Sequence, residues 1–265
     1  MIRETAVAGQ FYPLAADELK ATIEQFFSGL EKESNSLAVI APHAGYVYSG
    51  QIAAKSFAAL KKAGTYVIIG PNHTGFGEGV SIYPPGKWRT PLGEVEIDNE
   101  LSSALAESIG VERDESAHIS EHSLEVQLPF LQFLYGNSFK IVPICVAEHS
   151  YSALVKLGKK LAGVSRELDV AVIASSDFSH FIPEAAAREK DLGAIEMIKN
   201  MDIEGFYNKV GDENLSICGF APITATMAFC LENGLKKAQI LEYGSSADTI
   251  GDKTSVVGYA ALKFG

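Results

Sequence analysis

The sequence predicts an α/β fold: a single domain with a central mixed, largely parallel sheet flanked by helices on both faces. Three observations carry this. Short runs at Leu37–Ala41, Tyr66–Gly70, Lys140–Val146 and Val170–Ser175 are apolar at both alternating sets of positions, as strands buried on two faces must be. Helical stripes lie between them, and strand–helix–strand alternation is the pattern of a sheet covered on both sides. Finally, the 265 residues contain no repeat, charge run or Pro/Gly/Ser linker that would divide them. One α/β domain of this length buries a large core without disulfide or metal staples.

The elements follow in order. Ala53, Phe57 and Leu60 stand at i, i+4, i+7 between the first two strands. Leu124, Leu128 and Leu131 repeat the spacing, and Pro129 puts a kink or a late start there. Leu154, Leu157 and Leu161 form the next stripe, followed by Leu192, Ile195 and Ile198 behind Pro183. Ile223, Met227, Cys230 and Leu231 form the last, opened by Pro222 and closed before Gly234, the expected helix punctuation. Gln239–Gly244 and Ser255–Phe264 read as two further strands joined by a Gly/Asp/Ser loop.

Composition narrows the function. With 22 Lys+Arg against 33 Asp+Glu the net charge is −11, so general binding to phosphate backbones or anionic membranes is disfavoured. No nucleic-acid or membrane partner is expected. No apolar run approaches the roughly 20 residues needed to cross a bilayer. Met1 to Pro13 shows no signal-peptide core. Three scattered cysteines, Cys145, Cys218 and Cys230, make no disulfide framework, so a cytoplasmic location is expected.

The polar residues that follow the buried strands are the informative ones. The first strand runs into Pro42-His43-Ala44-Gly45-Tyr46, and the second into Pro71-Asn72-His73-Thr74-Gly75. The third run ends in Ala147-Glu148-His149, and the fourth in Ser176-Asp177-Phe178-Ser179-His180. Ligands of open α/β sheets bind beyond the carboxyl ends of the strands, so parallel strands would bring several imidazoles to one rim. His43 and His73 are the strongest pair, because neutral imidazole is a common ligand of iron, copper and zinc. The alternative is two loop histidines satisfied by backbone hydrogen bonds.

Asp177 and His180 are candidates for a general acid/base pair, with the carboxylate fixing the ring's tautomer. They read equally well as an N-capping Asp and a surface His. Cys218 precedes Gly219-Phe220-Ala221-Pro222 at a helix start, where the helix N-terminus would favour thiolate. Cys145 and Cys230 fall on apolar patterns and read as core. His118-Ile119-Ser120-Glu121-His122 matches H-x-x-E-H, an inverted zinc-protease signature that requires a helix centred on it. The helical stripe begins only at Leu124, so Glu121 and His122 read instead as polar groups of the pocket, along with Asn72. No G-x-S-x-G, G-x-G-x-x-G or P-loop is present in a fitting context.

Taken together, Val7-Ala8-Gly9-Gln10-Phe11-Tyr12-Pro13, Ala41-Pro42-His43-Ala44-Gly45-Tyr46, Gly70-Pro71-Asn72-His73, Thr90-Pro91-Leu92-Gly93, Glu121-His122-Ser123-Leu124-Glu125, Ser175-Ser176-Asp177-Phe178-Ser179-His180 and Cys218-Gly219 resemble the Memo family, in the family's order and over nearly the whole chain. The resemblance implies a fold similar to class III extradiol ring-cleaving dioxygenases, whose non-haem iron is held by two His and a carboxylate. It implies His43 and His73 as metal ligands, with Cys218 as the third ligand replacing the carboxylate. His180 would be the counterpart of the catalytic acid/base, with Asp177 near it. The implied cofactor is a divalent or redox-active ion, iron or copper first and zinc as a further choice. AMMECR-type and radical-SAM proteins are the implied partners.

Thiolate is softer than carboxylate and can be oxidised, so ring cleavage is not the expected activity. The leading expectation is a metal-dependent oxidoreductase of unassigned substrate. Its competitors are a non-catalytic module binding a peptide or small anion in the same cleft, and a zinc hydrolase built on His118 and His122.

Overall fold

The computed structural model describes residues 1–31 and 34–265. In chain order the elements are β1 (Ile2–Arg3), α1 (Ala16–Phe27), β2 (Ala38–Ala41), α2 (Tyr46–Ala59), β3 (Thr65–Pro71), β4 (Val80–Ile82), β5 (Lys87–Thr90), β6 (Gly93–Ile97) and α3 (Asn99–Ile109). A short 3-10 turn, Glu125–Gln127, leads into α4 (Leu128–Tyr135). Then come β7 (Lys140–Val146), α5 (Tyr151–Val164), β8 (Val170–Ser175), β9 (His180–Ile182), α6 (Glu184–Lys199), α7 (Ile203–Asp212), α8 (Phe220–Glu232), β10 (Ala238–Ser245), α9 (Ala247–Ile250) and β11 (Val256–Phe264).

The sheet order is β1-β5-β6-β7-β3-β8-β2-β11-β10, with β4 on β7 and β9 on β11. From β6 through β7, β3 and β8 to β2 the neighbours are parallel, whereas β11, β10 and β4 pair antiparallel. The result is an α/β domain whose large mixed sheet has a parallel centre. The four strands read from the sequence are that centre. Their period-2 alternation sorts side chains onto two cores. Ile40, Val67, Ile69, Val142, Ile144 and Val172 face the layer of α3 and α5–α8. Val39, Tyr66, Ile68, Ile141 and Ile173 face the layer of α1, α2 and α4.

Pro129 sits in the first turn of α4, where its missing N–H is harmless, and a 3-10 turn precedes it. The late start resolves in that way. The helices α1, α3 and α7, the β5–β6 hairpin and β4, which pairs on β7, are absent from the sequence reading. No helix among the described residues is long and apolar enough to cross a membrane. The parallel centre carries the carboxyl ends of β2, β3, β7 and β8 to one rim, which places the site.

Candidate metal centre

Two residues beyond β2, the backbone N–H of His43 donates to Asp177 Oδ1 at 2.8 Å, tying the loop after β2 to the loop after β8. The His43 ring is 2% exposed, and its Nδ1 lies 2.9 Å from Ser175 Oγ. Ser175 has one hydroxyl proton and donates it to the Ser123 carbonyl at 2.6 Å, while Gln127 Nε2 donates to Ser175 Oγ at 2.8 Å. Ser175 Oγ therefore accepts from His43 Nδ1–H, which puts the ring's lone pair on Nε2, 3.2 Å from the Cys218 thiol. Burial, followed by repulsion from His122, His73 and His180, holds the His43 pKa well below its ordinary value. The ring is a neutral donor.

His73 follows β3 in a turn built by Asn72. The Asn72 Oδ1 accepts from Thr74 N, Thr74 Oγ1 and Gly75 N, and its Nδ2 donates to Phe76 O. Asn72 shapes the turn. The partner of His73 is Glu121, fully buried, which accepts from His73 N at 2.6 Å, His73 Nδ1 at 2.9 Å and Ser123 N at 2.8 Å. Burial alone would raise the Glu121 pKa, but the hydrogen bond and charge of His73 outweigh it and bring it to about 2. An ionised carboxylate only accepts, so His73 Nδ1 keeps its proton, and in the neutral ring the lone pair is on Nε2.

His122 completes the group. Its Nδ1 is 3.4 Å from Glu121 Oε1, and burial lowers its pKa. The ring centroids stand 5.2 Å apart for His43–His73, 5.4 Å for His43–His122 and 4.7 Å for His73–His122. One donor atom from each of the three rings lies within 4.8 Å of the others. That spacing suits a shared ion. His73, whose side chain is 34% exposed, opens the cup to solvent.

Cys218 is adjacent, its Sγ lying 3.2 Å from His43 Nε2 and 3.3 Å from Asp177 N. It touches one of the three rings and stands outside the tight imidazole group. Burial, then the Asp177 carboxylate, pushes its thiol pKa well up, which reverses the expectation from the helix N-terminus. A terminal dipole acts weakly beside the cost of desolvating a thiolate. Gly219 is what lets Cys218 approach, since a Cβ there would fall 2.3 Å from Ser176 Cβ and 2.5 Å from Ser175 O.

Asp177 grips His43, and burial raises its pKa to about 6 against the opposing hydrogen bond from His43 and the charge of His180. It does not set the tautomer of His180. Ser216 does, accepting from His180 Nδ1 through its carbonyl at 2.8 Å and from His180 N through its hydroxyl at 2.8 Å. His180 Nε2 is thus a bare base at the rim. The loop between Asp177 and His180 is pinned by buried Asp191, which accepts from Ser179 N and Oγ.

Two sequence candidates lie elsewhere. His118 points into the core, where Nε2 donates to Ser81 O at 3.1 Å between Tyr83 and Trp88. Residues 118–122 form bends and turns rather than a helix, so His118 and His122 do not share a helical face. His149 packs on Phe220, 5.1 Å between centroids, apart from the imidazole group. Sequence reasoning missed Gln127 and the hydroxyls of Ser175 and Ser123, whose types gave no signal. Ser175 stood inside a motif already singled out.

Fold and site together define an α/β protein with a cluster of three histidines at the carboxyl rim of its parallel strands. The family profile described as Memo-like protein matches residues 3–263. The chain is 46% identical to a MEMO1 family protein of Methanosarcina barkeri, over 98% of this chain and 99% of that one. It is 44% identical to a MEMO1 family protein of Methanopyrus kandleri, over 100% and 99%. The chain belongs to the Memo family. Among solved structures it is similar to the uncharacterized protein JW3007 of Escherichia coli K12, with a TM-score of 0.58 and 15% identity over 86% of this chain and 100% of that one. That likeness concerns the fold alone.

Proposed function

We propose that this protein holds one transition-metal ion in the cup and acts as a metal-dependent oxidoreductase. The observation behind this reading is the three-imidazole group, in which the chain itself presets the Nε2 lone pairs of His43 and His73. His43 and His73 would be ligands, and His122 and the Cys218 sulfur are the neighbouring donors available to complete the set. Imidazole with sulfur suits iron, copper or zinc, and the first two support redox chemistry. When bound, such an ion supplies Lewis acidity and an open coordination position.

The remaining roles belong to the chain. His180 Nε2 takes a proton at the rim, its ring fixed by Ser216. Asp177 holds the His43 backbone in place. Glu121 keeps its negative charge against His73, which raises the ring's basicity as a donor.

Anaerobic reconstitution of untagged protein with Fe(II), Cu(I) or Zn(II), followed by metal analysis, tests the reading. About one ion per chain is expected, lost in His43→Ala and His73→Ala. Metal-dependent dioxygen consumption that falls in His180→Ala supports the oxidoreductase assignment. Binding without turnover under any oxidant would instead make the cleft a peptide- or anion-binding module.

A further inference from the structure

The N-terminal segment plays no part in the chemistry above, yet it is bound closely to the loops that carry the site. Arg3 is buried, and its guanidinium is spread over one stretch of chain. Nε donates to His118 O at 2.7 Å, Nη2 to Glu121 O at 2.7 Å, and Nη1 to Glu125 Oε2 at 2.6 Å. Glu125, equally buried, also accepts from Ala6 N at 2.8 Å, Val7 N at 3.1 Å and Tyr12 Oη at 2.7 Å. The Phe11 ring lies 4.6 Å from that of His122, and the Phe11 carbonyl accepts from Tyr46 N at 2.8 Å, at the start of the helix that follows His43. The segment therefore spans the loops that carry His43 and His122.

Glu121 is held from both ends. Arg3 grips its carbonyl, and its carboxylate grips His73. Residues 118–124 have no regular ladder to fix them, so a planar fork with three directed bonds supplies the rigidity a helix would otherwise provide. We propose that Arg3 and Glu125 are positioning residues of the metal centre, fixing through Glu121 the tautomer of His73 and the placement of His122. The proposal rests on the metal-binding reading for its purpose, and its geometry can be tested without metal.

Arg3→Lys keeps the charge but cannot reach three acceptors in a fork. Glu125→Gln keeps the shape. Tyr12→Phe removes a single donor to Glu125 and carries the decision if the first two fail to fold. Val210→Ala, in the core of α7, serves as a control that lowers Tm at a distance. The first readout is imidazole 1H–15N correlation NMR on metal-free protein. Wild type should show His73 as a single Nδ1–H tautomer, and the Arg3 and Glu125 variants a mixture or a shifted pair of nitrogens, with a smaller shift in Tyr12→Phe.

The second readout is Co(II) affinity, expected to fall about 10–100-fold in Arg3→Lys and Glu125→Gln, severalfold in Tyr12→Phe, and not at all in Val210→Ala. Variants with a lower Tm but wild-type His73 signals and wild-type Co(II) affinity would overturn the proposal, leaving the pair as a stabiliser of the fold only. Absence of Co(II) binding by wild type would count against the metal reading, and the metal-free signals would still decide the positioning claim.

Discussion

At the scale of single residues, the centre depends on where a few protons sit. Ser175 forces the Nδ1–H tautomer on His43 because its only proton is committed to Ser123 O. Ser175→Ala removes that constraint, and metal affinity should fall about tenfold, measured by competition with a chromophoric chelator. His118 makes a separate prediction. Burial, followed by the Arg3 charge, lowers its pKa from 6.5 to about 4. The folded protein thus binds fewer protons than the unfolded chain between these values, and stability falls as pH drops from about 6.5 to 4. Fully expressed, that difference is worth roughly 3 kcal/mol.

Asp177 works the other way. Raised from 3.8 to about 6, it contributes stability that is present below about 3.8 and lost as pH rises through 6. His43 and His122 are also lowered by burial, so the histidines prevail. Urea unfolding of metal-free protein should show a lower midpoint at pH 4.5 than at pH 7. His118→Gln, which keeps an N–H for Ser81 O, should reduce that difference by about 2–3 kcal/mol. His43 and His73 could be read from the sequence because each follows a buried strand beside Pro or Gly. The meeting of His122 with them could not, since a bend of irregular chain sets it.

At the scale of elements, close approaches are made by glycine. Gly158 of α5 lies against α8, where a Cβ would stand 2.1 Å from Ala225 O and 2.8 Å from Ala228 Cβ. Gly158→Ala must push the two helices apart, so a loss of about 1–3 kcal/mol is expected in chemical denaturation, with metal affinity unchanged. Gly219→Ala collides with Ser175 O and Ser176 Cβ, and both belong to the chain that carries the site. It should lower stability by a similar amount and also alter metal binding, because Cys218 is its neighbour. Strands with two-sided apolar patterns and stripes at helical spacing were readable one by one. The helices α1, α3 and α7 were not, because each buries only two or three large apolar residues, such as Leu19 and Ile23 in α1. The Asp caps of α3 and α7 at Asp98 and Asp202 were the available signal.

At the scale of the molecule, five adjacent parallel strands bring loops distant in sequence to one rim, and the N-terminal segment closes the far side. His43 and Cys218 are 175 positions apart yet 3.2 Å from contact atom to contact atom. That proximity joins the loop after β2 to the start of α8, which packs through Gly219 on the end of the neighbouring β8, and no local pattern reveals it. The acidic surface, with net charge −11, surrounds a cup lined by three imidazoles. Cation entry is therefore favoured over anion entry at the periphery, and the apparent on-rate for a divalent ion should decrease with added salt in stopped-flow titration.

The most direct measurement is anaerobic titration of the metal-free protein with Co(II), followed by visible absorption, for wild type, His43→Ala, His73→Ala and His122→Ala. Wild type should saturate near one ion per chain, with ligand-field bands that are lost in the first two variants and displaced in the third. Wild-type spectra and affinity in all three variants, or no saturable binding of Co(II), Fe(II), Cu(I) or Zn(II) by the wild-type chain, would contradict the metal-binding reading.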